Sequence, residues 1–258
     1  MLVADSLFVS YGKIEVLRGL SFDVAEREIV GVLGPNGCGK STALKAISGL
    51  LMPSGSVRYR GRDITNMGIA ERVRAGITLV PQGKNVFSSM TVQENLLMGA
   101  FCRSDKAGVS DDVEYWFGFF PQLADKRERL AGQLSGGEQR MVAVARGLMA
   151  RPSVILLDEP SLGVAPVVLA ELGRGILRLR DELGLTIVIV EQDVPFALDI
   201  ADRIIVLAGA ASQGSQPRTP ARPQALPPPG PTARAHAVGR ARRPLCEGRH
   251  RSPRAPPA

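Results

Sequence analysis

The first 210 residues contain no histidine; His236 and His250, the two in the chain, lie near its end. The body therefore has no imidazole with which to take up a proton near neutral pH. Three cysteines, Cys38, Cys102 and Cys246, form neither a metal-ligand spacing nor an even-numbered framework, which suits a reducing compartment. No apolar run approaches the roughly 18 residues that would span a bilayer. The start, Met1-Leu2-Val3-Ala4-Asp5, lacks the basic and apolar regions of a signal peptide. There is no heptad run and no internal repeat, which leaves coiled coils and solenoids aside.

A one-signed charge is also missing from most of the chain. The net charge is +7, yet residues 211–258 hold nine arginines and one acid, Glu247, and so carry +8. The first 210 residues are left at −1, with no body-wide field to draw in a nucleic acid. The text after Gly209 is Pro, Arg, Ala, Gly and Ser, with eleven of the nineteen prolines and few large apolar residues. Such a segment cannot offset an ordering cost of roughly 1–2 kcal/mol per residue, so residues 211–258 are expected to be a disordered tail. Its lack of patterning is what an out-of-frame reading of GC-rich DNA would produce; a basic tail touching anionic lipid is the alternative.

Residues 1–210 read as one α/β domain. Apolar runs alternate with helical patterns, as in a mainly parallel sheet covered by helices. Strands are expected at Leu2–Val9, Leu17–Phe22, Ile29–Leu33, Ser56–Tyr59, Ile77–Val80, Val154–Leu157, Thr186–Val190 and Ile204–Leu207. Between about Phe87 and Leu148 the pattern is mostly helical.

The chemistry starts at Gly34-Pro35-Asn36-Gly37-Cys38-Gly39-Lys40-Ser41. It follows an apolar strand and precedes a helical pattern, Thr42 to Ser48, which is the context a P-loop requires. Gly34, Gly37 and Gly39 let the backbone curl its N–H groups around a phosphate, and the helix adds its positive end. Lys40 can reach the β- and γ-phosphates of a nucleotide, and Ser41 can ligate Mg²⁺. Asp158-Glu159 closes a buried strand: Asp158 can hold Mg²⁺ beside Ser41, and Glu159 can orient or deprotonate an attacking water. The third piece is Leu134-Ser135-Gly136-Gly137-Glu138-Gln139. Ser135 and Glu138 form a capping box, with a stability value of roughly 1 kcal/mol. Gly136 and Gly137 weaken a first turn yet leave backbone N–H groups open to an anion.

Taken together, these segments resemble the ABC ATPase family: a P-loop NTPase core of α/β class with an antiparallel β subdomain and a helical subdomain, here about residues 86–150. Leu134 to Gln139 is similar to its signature motif, and Val80-Pro81-Gln82-Gly83 to its Q-loop. Tyr11 stands where the family stacks an aromatic ring on adenine, a contact worth roughly 1–3 kcal/mol. The resemblance implies ATP and Mg²⁺ as cofactors. ATP would be held by Tyr11, the P-loop residues Gly34 to Ser41 and Thr42, while Ser135, Gly136 and Gly137 would contact the γ-phosphate of the nucleotide bound by a partner. Mg²⁺ would be held by Ser41, Gln82 and Asp158. Glu159, Gln82 and Gln192 would be the catalytic residues. Two such domains would close head to tail on ATP.

Two departures narrow the resemblance. Gln192, in Glu191-Gln192-Asp193, stands where most of the family has histidine, and Val164 stands where most have aspartate. Both segments look like the second ATP-binding subunit of branched-chain amino acid importers, as do Pro81 to Phe87 and Met90 to Leu96. That resemblance implies a heterodimer with a second ATPase subunit, with a homodimer as the alternative. It also implies two membrane permeases, a periplasmic solute-binding protein, a peripheral place on the cytoplasmic face of the inner membrane, and no nucleic acid. A groove near Gln82 to Phe87 would receive a permease helix. Importers of urea or short amides share these motifs. A non-transport ABC protein and a product inactivated by its tail are further alternatives.

Overall fold

The computed structural model describes residues 1–83, 85–208 and 211–217. Two sheets lie along the chain. β1 (Leu2–Tyr11), β2 (Ile14–Val24), β4 (Ser54–Tyr59) and β5 (Arg62–Asp63) form an antiparallel sheet in the order β2-β1-β4-β5. The second sheet has the order β10-β9-β3-β8-β7-β6, with β3 (Ile29–Leu33), β6 (Ile77–Val80), β7 (Val154–Asp158), β8 (Thr186–Glu191), β9 (Arg203–Ala208) and β10 (Ala211–Pro217). Every pairing in it is parallel except that of β10 with β9. The expected strands all form; β1 and β2 run longer because Ser10 and Tyr11 pair with Glu15 and Ile14 at one end and Val3 and Leu2 pair with Asp23 and Val24 at the other.

β3, β7 and β8 are buried along their whole length, as parallel strands covered on both faces must be. Their alternate residues feed two cores. Val30, Val32, Leu156 and Val188 face one with α1 (Lys40–Ser48) and the antiparallel sheet. Ile29, Leu33, Ile155 and Ile187 face the other with α6 (Gly136–Leu148), α7 (Pro166–Leu183) and α8 (Val194–Ile200). Between β6 and β7 the chain is helical, with α3 (Val92–Gly99), α4 (Lys106–Phe119), α5 (Pro121–Ala124), a 3₁₀ turn at Ala131–Gln133, and α6.

α2 (Ile69–Ala75) contributes Arg72, which is fully buried. Its guanidinium donates to the carbonyls of Ala46 and Ile47 at 2.8 Å each, closing the last turn of α1, and to Met67 and Thr65 at 2.9 and 2.7 Å. A cation over exposed C-terminal carbonyls satisfies both the unpaired acceptors and the helix dipole.

Ala211–Pro217, read as the start of a disordered tail, pairs antiparallel with β9. The open ladder of β9 offers hydrogen bonds to any extended chain that follows it, whatever its composition. Residues 218–258, the rest of the expected tail, lie outside the described residues.

Candidate nucleotide site

Register brings the chemistry to one edge of the parallel sheet. Leu33 lies beside Glu191, Asp158 beside Val190, and Val80 beside Leu157. The P-loop, Asp158-Glu159, Glu191-Gln192 and Pro81-Gln82 therefore leave the carboxyl ends of β3, β7, β8 and β6 together. That edge is where open α/β sheets bind ligands.

Gly39 lies at φ 103° and caps α1, which begins at Lys40, two residues before the expected start. A Cβ at Gly39 would sit 2.7 Å from Leu17 Cδ2, so both conformation and packing demand glycine there. Among the described residues, no acceptor meets the backbone N–H groups of Gly37, Gly39, Lys40, Ser41 or Thr42. Lys40, 4% exposed, donates Nζ to the carbonyls of Gly34 and Pro35 at 2.8 and 3.1 Å. It also stands 3.4 Å from Glu159 Oε1. Open amides at a helix N-terminus with a buried ammonium over them fit a nucleotide's phosphates.

Ser41 Oγ donates to Asp158 Oδ1 at 2.9 Å. Burial pushes the Asp158 carboxyl above the ordinary carboxylate range, opposed by the Ser41 hydrogen bond and reinforced by the Glu159 charge. A hard cation beside Ser41 and Asp158 would relieve that cost. Among the described residues, no cluster of three His, Cys, Asp or Glu side chains could hold a metal alone. A cation carried in by phosphate oxygens needs no such cage.

Glu159 is the centre of the site. It is 4% exposed, in left-handed backbone at φ 45°. Gln82 Nε2 donates to its Oε2 at 2.5 Å and Gln192 Nε2 to its Oε1 at 2.6 Å. Both glutamine side chains belong to exposed residues, whereas the carboxylate they grip is buried. The three catalytic candidates are thus brought into one cluster with Lys40.

The signature segment is arranged differently. Ser135 Oγ accepts from Glu138 N–H at 3.4 Å, and Glu138 Oε2 accepts from Ser135 N–H at 2.9 Å, so the capping box forms. Gly136 is half-buried and Gly137 buried. A Cβ at Gly137 would lie 2.5 Å from Val168 Cγ1 of α7 in the same chain, whereas one at Gly136 meets nothing closer than the Gly163 carbonyl at 3.5 Å. Packing alone therefore requires the second glycine. None of the described hydrogen bonds joins Ser135, Gly136 or Gly137 to the chain's own P-loop. Tyr11 is 46% exposed at the end of β1 and stands outside the Glu159 cluster.

Two groups given no role by sequence reasoning enter the site. Glu191, 1% exposed, accepts from Ser161 N–H and Oγ–H at 2.8 and 2.6 Å and from Gln192 N–H at 3.1 Å. It ties the segment carrying Gln192 to the turn after Glu159. Arg140, 3% exposed, donates to the carbonyls of Pro81 and Glu159 at 3.2 and 3.0 Å. The only local signal for it is a charge one turn after Gly136, ahead of a run of buried apolar residues.

Near Gln82, a cavity of about 300 Å³ opens between β6 and α6, lined by Val80, Pro81, Phe87, Met98, Arg146 and Gly147 among others. Phe87, read equally as core or groove, is 44% exposed and lies under the Arg146 guanidinium at 4.9 Å.

Comparison with known proteins agrees with this geometry. The ABC transporter family model matches residues 17–162. A high-affinity branched-chain amino acid transport ATP-binding protein, BraG of Pseudomonas aeruginosa, is 43% identical over 208 residues, 80% of this chain and 88% of the relative. A probable branched-chain amino acid transport ATP-binding protein, LivF of Archaeoglobus fulgidus, is 40% identical with the same coverage. The crystal structure of the ADP conformation of an ATP-binding cassette of an ABC transporter superposes with a TM-score of 0.75 at 31% identity, covering 84% of this chain and 91% of that one. With a P-loop, a strand-end acid pair and a capped signature helix set on this sheet, the chain belongs to the ABC transporter family and is one of its nucleotide-binding ATPases.

Proposed function

We propose that this ATPase powers an importer of branched-chain amino acids, with Mg²⁺ as its metal and a second ATPase subunit as its partner. The observation that carries the mechanism is the Glu159 cluster. Lys40, Gln82 and Gln192 converge on one buried carboxylate at the mouth of the P-loop. The cargo reading is supported by what the two relatives are named for.

When bound, ATP and Mg²⁺ supply the phosphoryl group and the charge that draws off its electrons. Lys40 and the amides of Gly37 to Thr42 bind and orient the phosphates, and Ser41 with Asp158 holds the cation. Glu159, released from Lys40, accepts a hydrogen bond from the attacking water. Gln82 and Gln192 keep that carboxylate aimed. Gln192 can donate to a phosphate oxygen but takes no proton, so Glu159 is the one base in the cluster. The signature amides of Gly136 and Gly137 meet the nucleotide of the partner subunit, a role consistent with the lack of any described hydrogen bond between them and their own P-loop. The groove beside Gln82 and Phe87 receives a helix of a membrane permease and carries the state of the site outward. The chain then sits peripherally on the cytoplasmic face. Among the described residues no helix is long and apolar enough to cross a membrane.

The test is uptake in the source strain after deletion of this gene. Leucine, isoleucine and valine uptake should fall and return with the wild-type gene but not with Glu159→Gln. Unchanged uptake of these three alongside loss of urea or amide uptake would refute the cargo. Binding of Mg-ATP by the purified chain, lost in Lys40→Ala, tests the site separately. Lys40→Ala/Glu159→Gln, which leaves no unpaired buried charge, controls for folding.

A further inference from the structure

Arg140 lies inside the nucleotide site but touches neither the P-loop nor a carboxylate oxygen. It occupies the fifth position of α6, one turn below Gly136 and Gly137 and on their face, because residues three and four apart share a helix face. Its two guanidinium arms reach two different segments. One donates to the carbonyl of Pro81, the residue before Gln82; the other donates to the carbonyl of Glu159 itself. The charges around it are Glu191, Asp158 and Glu159, and burial is the larger influence on the guanidinium, lowering its proton affinity. A buried cation with carbonyl acceptors on two segments is costly to place and costly to remove.

Glu159 has a backbone that needs holding. Its φ of 45° is unfavourable for a residue with a Cβ. Three backbone contacts oppose relaxation: its N–H donates to Val190, and its carbonyl accepts from Leu162 N–H and from Arg140. Arg140 is the contact that comes from a different layer of the molecule, the helix that starts at the signature motif.

We propose that Arg140 is a positioning residue that locks Glu159 and the Gln82 segment to the signature helix, so that the catalytic carboxylate and its glutamine partner hold their places only while α6 is docked. The proposal rests on the ATPase reading above and adds a residue to it. α6 is a rigid element, so a displacement of its N-terminal turn moves Arg140 with it. An anion drawn onto the amides of Gly136 and Gly137 therefore acts on Glu159 of the same chain, about one helical turn away, through one side chain. The state of the partner's nucleotide is thereby reported to this chain's own hydrolytic group.

The test uses the full chain as wild type, Arg140→Gln and Arg140→Lys, compared by amide hydrogen exchange. In Arg140→Gln, exchange should rise at least tenfold at Leu162, whose N–H donates to the Glu159 carbonyl. Peptides from β3 and α1 should be unchanged, and Mg-ATP binding should stay within twofold. Arg140→Lys, which keeps a cation and donors but not the two-armed fork, should recover a large part of the protection. In membranes holding the assembled transporter, Arg140→Gln should lower kcat at least tenfold with KM for ATP within twofold. Unchanged exchange at Leu162 would overturn the proposal. So would a rise that spreads equally through α1 and β3, since that would show a purely structural role. If the wild-type chain binds no Mg-ATP, the ATPase reading fails, whatever Arg140 does to exchange.

Discussion

Gly136 and Gly137 are adjacent, share one motif and should respond oppositely to alanine. At Gly137 the added Cβ meets Val168 Cγ1 at 2.5 Å and Val168 Cβ at 3.2 Å. Valine has few rotamers with which to escape, and overpacking of this kind costs about 1–3 kcal/mol. Replacing a helical glycine by alanine returns up to about 1 kcal/mol, so Gly137→Ala should be net destabilised by up to about 2 kcal/mol. At Gly136 the nearest atom is 3.5 Å away, and only the propensity gain remains. The two variants should thus differ by about 1–3 kcal/mol, or by about 2–12 °C in melting temperature for a domain of this size. The assay is thermal or urea unfolding of the nucleotide-free chain, with Val168→Ala as the second leg of a double-mutant cycle. Coupling of about 1–3 kcal/mol between Gly137→Ala and Val168→Ala is expected, and none with Gly136→Ala. Equal stability of the two alanine variants, with no coupling to Val168, would refute the packing argument. Gly136→Ala then becomes the informative variant for function, because any loss of hydrolysis in the paired assembly cannot be blamed on the fold.

Arg72→Met should lower stability by about 3–5 kcal/mol, the usual cost of stripping a buried charged donor from its acceptors. The readout is chemical denaturation, and a loss under about 1 kcal/mol would show that the four carbonyls find other partners. Asp158 gives a pH signature. Its carboxyl is held above its ordinary value of 3.8, so the folded chain binds that proton more tightly than the unfolded chain. Its ionisation therefore subtracts stability progressively as pH climbs from near 3.8 through the raised folded value, and the deficit is constant above that. Asp158→Asn should melt higher than wild type at pH 7, with the gap closing towards acid pH, and should lose the stabilisation that Mg-ATP confers on wild type. A gap that ignores pH, or one of the opposite sign, would contradict the assignment of burial as the dominant cause.

Much of this was legible in the chain as text. The P-loop, the acid pair and the signature segment are contiguous runs whose chemistry follows from neighbours in sequence. Fully apolar runs such as Ile29 to Leu33 announce buried parallel strands without help. Gln82 and Gln192 could be named as site residues because their segments resemble a family. What a sequence pattern does not carry is who holds whom. The Ser41–Asp158 bond joins residues 117 apart, and Gln82 and Glu159 are 77 apart. Sheet register alone makes those meetings. Arg140 has no signature in the sequence because a charge on a helix is ordinarily solvated, and only the stacking of α6 against the ends of β6 and β7 buries it. The sequence marks Gly137 for its amide, yet the steric demand comes from Val168, on an element that starts 29 residues later. β10 forms from text with no strand signature, since an open edge supplies the pairing that composition does not. Local sequence determined which groups the site contains and what each can do. Tertiary structure decided which carboxylate is gripped, by which side chains and in what backbone conformation, because those are contacts between segments that only the packed sheet brings within reach.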